Sequence, residues 1–490
     1  MSQIWDLVSA HASLPGGSKN ADAPNAENQA KPGSKAALTI GSRSYTFAEL
    51  YHAAKLIKEK YEHKEWQTIL VFQPVGFRFL AAMIGLLAAE QCAVIPAVYI
   101  GWKRLTSVLQ AVGIDSVISS GVYSLLRRIL LPGIITEGRH AEMGRLHNEP
   151  VMLVFTSGST GLPKLGFRHE AQLQAMFIGL NRHINLNSCT GHFTWFPVVS
   201  LLNAGNGVHT FLPEKKWGKY DFKAIRRQII DNAVSHVSGP PSALLALLAF
   251  GPLFAVAQVF AGGAILSLPN AKRLKAGFPN ADIKIIYGST EAEPVSVLAL
   301  DDFLELMQSG RPGTPLGYID KALAYYIEPA ADIDLPGDQF AFAGELCLRG
   351  PQAARALSFE ESLHKPEDKF VSMGDIGYFD ENKCFWLLGR KGFTFKSDYG
   401  LSGPFALEVL EPPNAEWEGH YTMMPYLGKT TLVIAFSINS AANDLLAWCK
   451  SLGQNPEQTA IVKLMPKDKR HDSRVDYNRI PELVQEVFAV

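Results

Sequence analysis

The sequence predicts an α/β protein: a large N-terminal domain of mostly parallel, helix-covered sheets, residues 1–390, followed by a small α+β domain, residues 391–490. Three observations carry that reading. Short continuous apolar runs alternate with helix-length segments over most of the chain. Past residue 335 the texture turns to brief alternating runs separated by Gly, Asp and Asn, and after Arg390 a mixed pattern returns. A strand that is apolar throughout is what a sheet covered by helices on both faces requires.

Taken in order, Ser13 to Ala36 is rich in Gly, Pro, Asn and Ser and poor in large apolar groups, so a mobile surface loop is expected. "ALTIGSRSYTFAEL" then reads as a hairpin whose Thr46 caps a helix, with Glu49 completing a capping box. "TILVFQ" is a predicted strand, "GFRFLAAMIGLLAAE" a helix, "CAVIPAVY" a strand, and "SVLQAVGI" followed by "DSVISS" repeats the unit. The rhythm returns in "DFKAIRRQIIDNAV" before "SHVSG" and in "LPNAKRLKAGF" before "IKIIYGSTE". From Ala243 to Leu266 the chain carries no charge and is long enough to span a bilayer. Gly251-Pro252 interrupts it and Gln258 is polar, so we read a buried helix, a turn and a short strand, with a membrane span as the alternative. "QFAFAGELCLRG", "FVSMGDIGYFDENKCFWLLGR" and "GFTFKSDYG" predict antiparallel sheet. The small domain follows with strand-like "TTLVIAFSI", helix-like "NDLLAWCKSLG" and strand-like "AIVKLMP".

Charge excludes some classes of partner. Lys+Arg total 46 against Asp+Glu 47, a net charge of -1, which gives the whole chain no footprint for nucleic acid or acidic membranes; basic groups must act locally. The five cysteines stand singly with no C-x-x-C pair, and the N-terminus lacks a basic stretch leading into an apolar one. A reduced, cytoplasmic protein is expected. No H-E-x-x-H or paired Cys/His spacing suggests a metal centre.

One stretch carries more chemistry than the rest. After the strand-like "VMLVF" come Thr156, Ser157, Gly158, Ser159, Thr160, Gly161 and, past Leu162-Pro163, Lys164. Backbone N–H groups, hydroxyls and one ammonium are the ingredients of an anion cradle, and the glycines permit close backbone approach. The spacing does not fit G-x-x-x-x-G-K-[ST], which disfavours a P-loop; a flexible polar turn is the alternative.

The order T-S-G-S-T-G-x-P-K resembles the phosphate-binding loop of the adenylate-forming superfamily, which includes acyl-CoA synthetases, firefly luciferase and peptide-synthetase adenylation domains. "IIYGSTEAEP" resembles its Y-G-x-T-E signature, "SMGDIGYFDENKCFWLLGR" its G-D-x-G and G-R, "VFAGGAILS" its adenine segment and "GELCLRGP" its G-E-L strand. The ending "KRHDSRVDY" resembles the branch of β-lactone synthetases of olefin biosynthesis. The resemblance implies a distorted β-barrel beside the parallel sheets and a mobile C-terminal domain that rotates between two half-reactions.

It also implies a reaction: a carboxylate attacks the α-phosphorus of ATP, giving an acyl-adenylate and pyrophosphate. Thr156, Ser157, Ser159, Thr160 and Lys164, on a backbone loosened by Gly158 and Gly161, would hold the outer phosphates. Gly262, Gly263 and Ala264 would approach the adenine, on which Tyr287 stacks ahead of Gly288. Thr290 would donate to the α-phosphate, Glu291 hold Mg2+, Asp375 accept from the ribose hydroxyls, and Arg390 donate to ribose or phosphate. "HFTWFPVVSLLNAGNG" falls where the family lines its acyl pocket; its apolar character suggests a hydrophobic acid, and a core strand and helix start explain it equally well. Arg474 stands where the family has a lysine bridging carboxylate and α-phosphate, with Lys467 and Lys469 nearby, and Gly392 follows Lys391 at the hinge. The acceptor is coenzyme A, the phosphopantetheine of an acyl carrier protein, or the substrate's own hydroxyl. The departures at Arg474 and Gly392 keep a non-catalytic nucleotide- or acyl-binding protein as the rival reading, and the oligomeric state is left open.

Overall fold

The computed structural model describes residues 3–13, 34–96, 101–131, 134–135, 150–155, 165–216, 219–335, 339–354, 369–398, 400–466 and 475–488. The chain divides into two compact units. The first comprises Met1–Ser238 with Ala255–Ala257 and Ala354–Asp368; the second comprises Gly239–Phe254, Gln258–Ala353 and Lys369–Val490.

In the first unit, strands Ser116–Ile118, Thr68–Val71, Cys92–Val94, Met152–Phe155 and Leu165–Arg168 form a five-stranded sheet in that order. The first four run parallel and the last pairs antiparallel, with Phe155 opposite Leu165. Thr68–Val71 is buried along its whole length, as an all-apolar strand demands. Leu70 and Val94 pack with Leu105 and Leu109 of the helix Trp102–Val112. A second set of strands runs His236–Gly239, His192–Thr194, Thr210–Leu212, Ala36–Ile40 and Arg43–Thr46, parallel up to the closing hairpin.

Local signals behave as the sequence suggested. Thr46 Oγ1 accepts from Glu49 N at 3.2 Å and Glu49 Oε2 accepts from Thr46 N at 2.7 Å, completing the capping box of the helix Phe47–Tyr61. Such a cap stabilises its helix by about 1 kcal/mol. The helix Phe77–Ala88 lies close against it at Gly85, where a Cβ would come 2.5 Å from Ala54 O. Besides the unread helices Val122–Leu130 and Glu170–Asn181, two details differ from expectation. The helix expected at "SVLQAVGI" already begins at Trp102, and the unforeseen helix Gln3–Ser13 buries Ile4, Trp5 and Val8, too short an apolar pattern to stand out in the sequence. Most of the expected mobile stretch between Ser13 and Ala36 lies outside the described residues.

The second unit begins with the helix Pro241–Leu248, a turn, and the strand Gln258–Gly262, so the charge-free segment is interrupted as its Gly-Pro implied. Among the described residues no helix is long and apolar enough to cross a membrane. Gln258–Gly262 pairs parallel with Asp282–Tyr287, which pairs antiparallel with Ser296–Ala299. The predicted antiparallel region is a seven-stranded sheet ordered Thr314–Gly317, Phe385–Arg390, Val371–Phe379, Gln339–Arg349, Ala324–Leu335, Gly400–Ser402 and Phe395–Ser397.

Beyond it, Tyr421–Tyr426, Lys429–Ala435 and Gln458–Val462 form a three-stranded sheet with the helices Ala442–Ser451 and Ile480–Phe488. Its central strand alternates as a two-sided strand must: Leu432 and Ile434 join one apolar cluster, Val433 and Ala435 the other. This is the small α+β part expected after the large parallel-sheet region. All five cysteines are free, and four of them are buried.

Candidate nucleotide site

The site in the second unit is built on strand ends. Asp375 lies on Val371–Phe379 in register with Arg390, the last residue of Phe385–Arg390. Ahead of it Gly374 adopts φ +67°, a left-handed conformation that suits glycine, and its carbonyl accepts from Lys391 N at 3.0 Å. Asp375 is 2% exposed. Its Oδ1 faces Arg390 Nε at 3.0 Å, and its Oδ2 accepts from the Tyr287 hydroxyl at 2.5 Å. Arg390 Nη1 donates to Met373 O at 2.8 Å, which fixes the plane of the guanidinium.

Tyr287 arrives from another part of the chain, at the C-terminal end of the strand Asp282–Tyr287, with its ring 6.2 Å from that of Phe385. Burial, and then the Asp375 charge, push the phenol well above its ordinary pKa, so it remains a donor. The same carboxylate raises the Arg390 guanidinium above its usual value. The result is a buried carboxylate set between a guanidinium and a phenol.

Gly262 pairs opposite Ile286, one position before Tyr287, and Gly263 follows at φ +73°. Gly262, Gly263 and Ala264 therefore lie beside the strand end that carries Tyr287. The loop after Tyr287 folds back on itself: Ser289 N donates to Ala292 O at 2.8 Å and Val295 N to Tyr287 O at 2.8 Å. A Cβ on Gly288 would lie 3.2 Å from Ala292 O, so the small residue lets this turn close. Glu291, 7% exposed, accepts from Ser289 Oγ at 2.5 Å, and its charge reaches both Tyr287 and Arg390. Thr290 sits between them on the same loop.

A supporting group was not foreseen from the sequence. Glu345, buried on Gln339–Arg349, accepts from Lys391 Nζ at 2.7 Å and from Ser372 Oγ, while Ser372 Oγ accepts from Gly374 N at 3.3 Å. Burial alone would raise its pKa; the Lys391 and Ser372 hydrogen bonds outweigh it and hold the carboxyl below its usual value. Glu345 thereby braces the turn that presents Asp375. The available signal was a lone acid in an otherwise apolar strand stretch, "GELCL".

Other expected residues fall elsewhere. Thr156, Ser157, Gly158, Ser159, Thr160, Gly161 and Lys164 lie outside the described residues, as do Lys467, Lys469 and Arg474. The strands flanking the first of these segments are paired, with Phe155 opposite Leu165. Gly392 has φ +89° with nothing within 4 Å of an added Cβ. "HFTWFPVVSLLNAGNG" forms the strand His192–Thr194 and the helix Pro197–Gly205, in which Val199 through Gly205 are buried.

Among the described residues no three His, Cys, Asp or Glu side chains gather to hold a metal ion. Magnesium is commonly held by one or two carboxylates together with substrate phosphates and water, and a buried, anchored Glu291 fits that donor set.

Known proteins resemble this chain in sequence and in fold. An olefin β-lactone synthetase of Xanthomonas campestris pv. campestris is 25% identical over 311 residues, 57% of this chain and 53% of that protein. A 4-coumarate–CoA ligase of Glycine max is 32% identical over 152 residues, 30% of this chain and 50% of that protein. The chain thus spans about half the length of these relatives. The structure of o-succinylbenzoate coenzyme A synthetase from Bacillus subtilis in complex with AMP aligns at TM-score 0.71 over 97% of both chains with 16% identity, a likeness of fold. The same enzyme in complex with ATP and a magnesium ion aligns at TM-score 0.69 over 93% of this chain and 97% of that one, also at 16% identity. The family described as AMP-binding enzyme matches residues 25–357, well over half of the chain, and takes in both the Gly262–Ala264 and the Tyr287–Glu291 segments. Strand ends that hold Asp375 between Tyr287 and Arg390, and a family match of that extent, lead to one assignment: the chain belongs to the AMP-binding enzyme family.

Proposed function

We propose that this protein is an adenylate-forming ligase that activates a hydrophobic carboxylic acid, a fatty or β-hydroxy fatty acid, with ATP. The observation that supports it most is the junction of Tyr287, Asp375 and Arg390, two motifs 88 residues apart in sequence joined by one hydrogen bond. A buried carboxylate at a strand end suits a ribose diol, and the neighbouring guanidinium suits ribose or phosphate oxygens. Tyr287 and the Gly262–Ala264 backbone would flank the base, and Thr290 would donate to the α-phosphate. Thr156 to Lys164 would hold the outer phosphates, and Arg474 would bridge carboxylate and α-phosphate. Glu291 would hold Mg2+, which when bound neutralises phosphate charge and eases departure of pyrophosphate.

For the second step we favour transfer to a thiol, of coenzyme A or of a carrier-protein phosphopantetheine, in a reducing cytoplasm. Closure of a β-lactone by the substrate's own hydroxyl is a second reading, favoured by the likeness to an olefin β-lactone synthetase. Residues 391–490 would rotate between the steps about Gly392, whose positive φ and open surroundings suit a pivot. Exchange of labelled pyrophosphate into ATP, dependent on fatty or β-hydroxy fatty acids, tests the first step. ATP binding with no exchange over a broad acid panel would favour a non-catalytic binding protein instead. Mass spectrometry of products with and without coenzyme A separates thioester from lactone. Gly392→Pro is expected to slow consumption of a supplied acyl-adenylate more than its formation; equal slowing would remove the pivot.

A further inference from the structure

The helix Val122–Leu130 in the first unit is apolar over a wider arc than its core uses. Tyr123, Leu126 and Leu130 turn inward onto the five-stranded sheet. Val122, Leu125 and Ile129, at the spacing of one helix face, stay 62%, 59% and 64% exposed. Three large aliphatic side chains aligned in water are not explained by packing, since scattered exposed residues would not fall on one stripe.

Among the described residues, several basic side chains accompany this stripe. Arg128 borders it on the same helix, and Tyr123 at the helix start shares Phe72 with Trp102, at ring distances of 6.1 and 6.2 Å. Trp102, 38% exposed, and Tyr123 thus share one ring, and Lys103 and Arg104 next to Trp102 are also exposed. Arg78 reaches the same corner by donating to Ser120 Oγ. Asp115 is the one acidic residue between Gly101 and Leu131, and it is occupied by Thr68, whose N and Oγ1 donate to it at 2.8 and 3.1 Å. Between Gly101 and Leu131 the chain thus carries Lys103, Arg104, Arg127 and Arg128 against Asp115 alone.

We propose that this face, the helix Val122–Leu130 with the start of Trp102–Val112, docks on an anionic lipid bilayer. Leu125, Ile129 and Val122 enter the boundary between headgroups and acyl chains, Trp102 sits at the headgroup level, and Arg128, Lys103 and Arg104 meet the lipid phosphates. A second copy is the less favourable occupant, because a two-fold interface would set this basic face against itself. Nucleic acid would use the cations but leave the aliphatic stripe in water.

Flotation of the full chain with phosphatidylcholine vesicles, with and without about one-third phosphatidylglycerol, tests the proposal. The protein is expected to float with the anionic vesicles at least about tenfold more than with neutral ones, and to be released by high salt. Leu125→Asp/Ile129→Asp should lower that binding about tenfold while acid-dependent pyrophosphate exchange without vesicles stays unchanged. Should that variant unfold, Lys103→Glu/Arg128→Glu, which leaves the apolar contacts intact, should abolish the anionic preference. Absence of binding at low salt, equal binding to both vesicles, or binding that survives both variants overturns the proposal. So does dimerisation in sedimentation that the aspartate variant abolishes. Vesicle binding is read independently of exchange, so failure of one reading leaves the other standing.

Discussion

In the first unit His192 is fully buried, with Nδ1 3.2 Å from Asn203 Oδ1 and Nε2 3.0 Å from Ser238 Oγ, which in turn donates to Thr194 Oγ1 at 2.7 Å. In the second unit Asp375 is almost as deeply buried, yet it faces a guanidinium that is itself 38% exposed. The first arrangement is neutral: burial, then the nearby His236, push His192 down to about 3, so its ring carries no charge near neutral pH. The second is an ion pair that opens toward solvent along Arg390. A buried polar network whose members pair with one another holds a core together; a buried charge whose counter-ion reaches the surface can be shared with a ligand. Glu408 supplies a third case, a half-buried carboxyl that accepts from the Thr422 and Tyr477 hydroxyls. Burial dominates there and raises it to about 7, the opposite of what Lys391 does for Glu345.

The strongest way to break this comparison is Asp375→Ala. It should lower acid-dependent pyrophosphate exchange at least about 100-fold, the scale of losing a preorganised charge, with a modest change in thermal unfolding. Exchange within about threefold of the parent would mean that the carboxylate is structural after all. His192→Ala should do the reverse, costing about 2–4 kcal/mol in denaturant unfolding while exchange per folded molecule holds. Its pH dependence has a definite sign: the folded pKa is depressed, so stability is lost as pH falls from about 6.5 toward 3, where the unfolded ring gains a proton that the folded one refuses. The variant should flatten that slope.

Glu408→Gln sharpens the contrast from the other side. Because the folded pKa is raised, the unfolded carboxyl ionises first, and stability falls as pH climbs from about 4.3 through about 7. The amide should remove this decline and stabilise the protein by about 1–3 kcal/mol at pH 8; unfolding curves with an unchanged slope would refute the neutral form. Smallest is Tyr287→Phe, which removes one donor from Asp375 and keeps the ring. A three- to tenfold loss of exchange, about 1 kcal/mol, is expected, seen more in the dependence on ATP than in stability.

Much of this was legible in the chain, and the remainder follows a physical pattern. Thr46 and Glu49 announce their helix because capping is decided within four residues. The strands carrying Tyr287, Asp375 and Arg390 were readable from short motifs, each with its own glycine. Their convergence is a long-range fact that no local signal encodes; the resemblance supplied it, and the hydrogen bond from Tyr287 to Asp375 was not foreseen. Glu345 escaped notice because a carboxylate on a strand reads as solvated unless its lysine is known to fold over it. The helix Val122–Leu130 was not read from the sequence, so neither was its exposed stripe; even a recognised amphipathic helix does not say how much of its apolar arc the core will cover.

If the chain activates an acyl group as proposed, its cysteines bear on how that group can leave. Burial pushes Cys189 up to about 11 and Cys384 and Cys449 to about 12, and raises Cys92 and Cys347 as well. Only the deprotonated sulfur attacks an acyl group, so none of the five is poised to capture one near neutral pH. On the proposed reading, a thioester relay through a cysteine of this polypeptide is therefore disfavoured near neutral pH, and the acceptor supplies its own nucleophile.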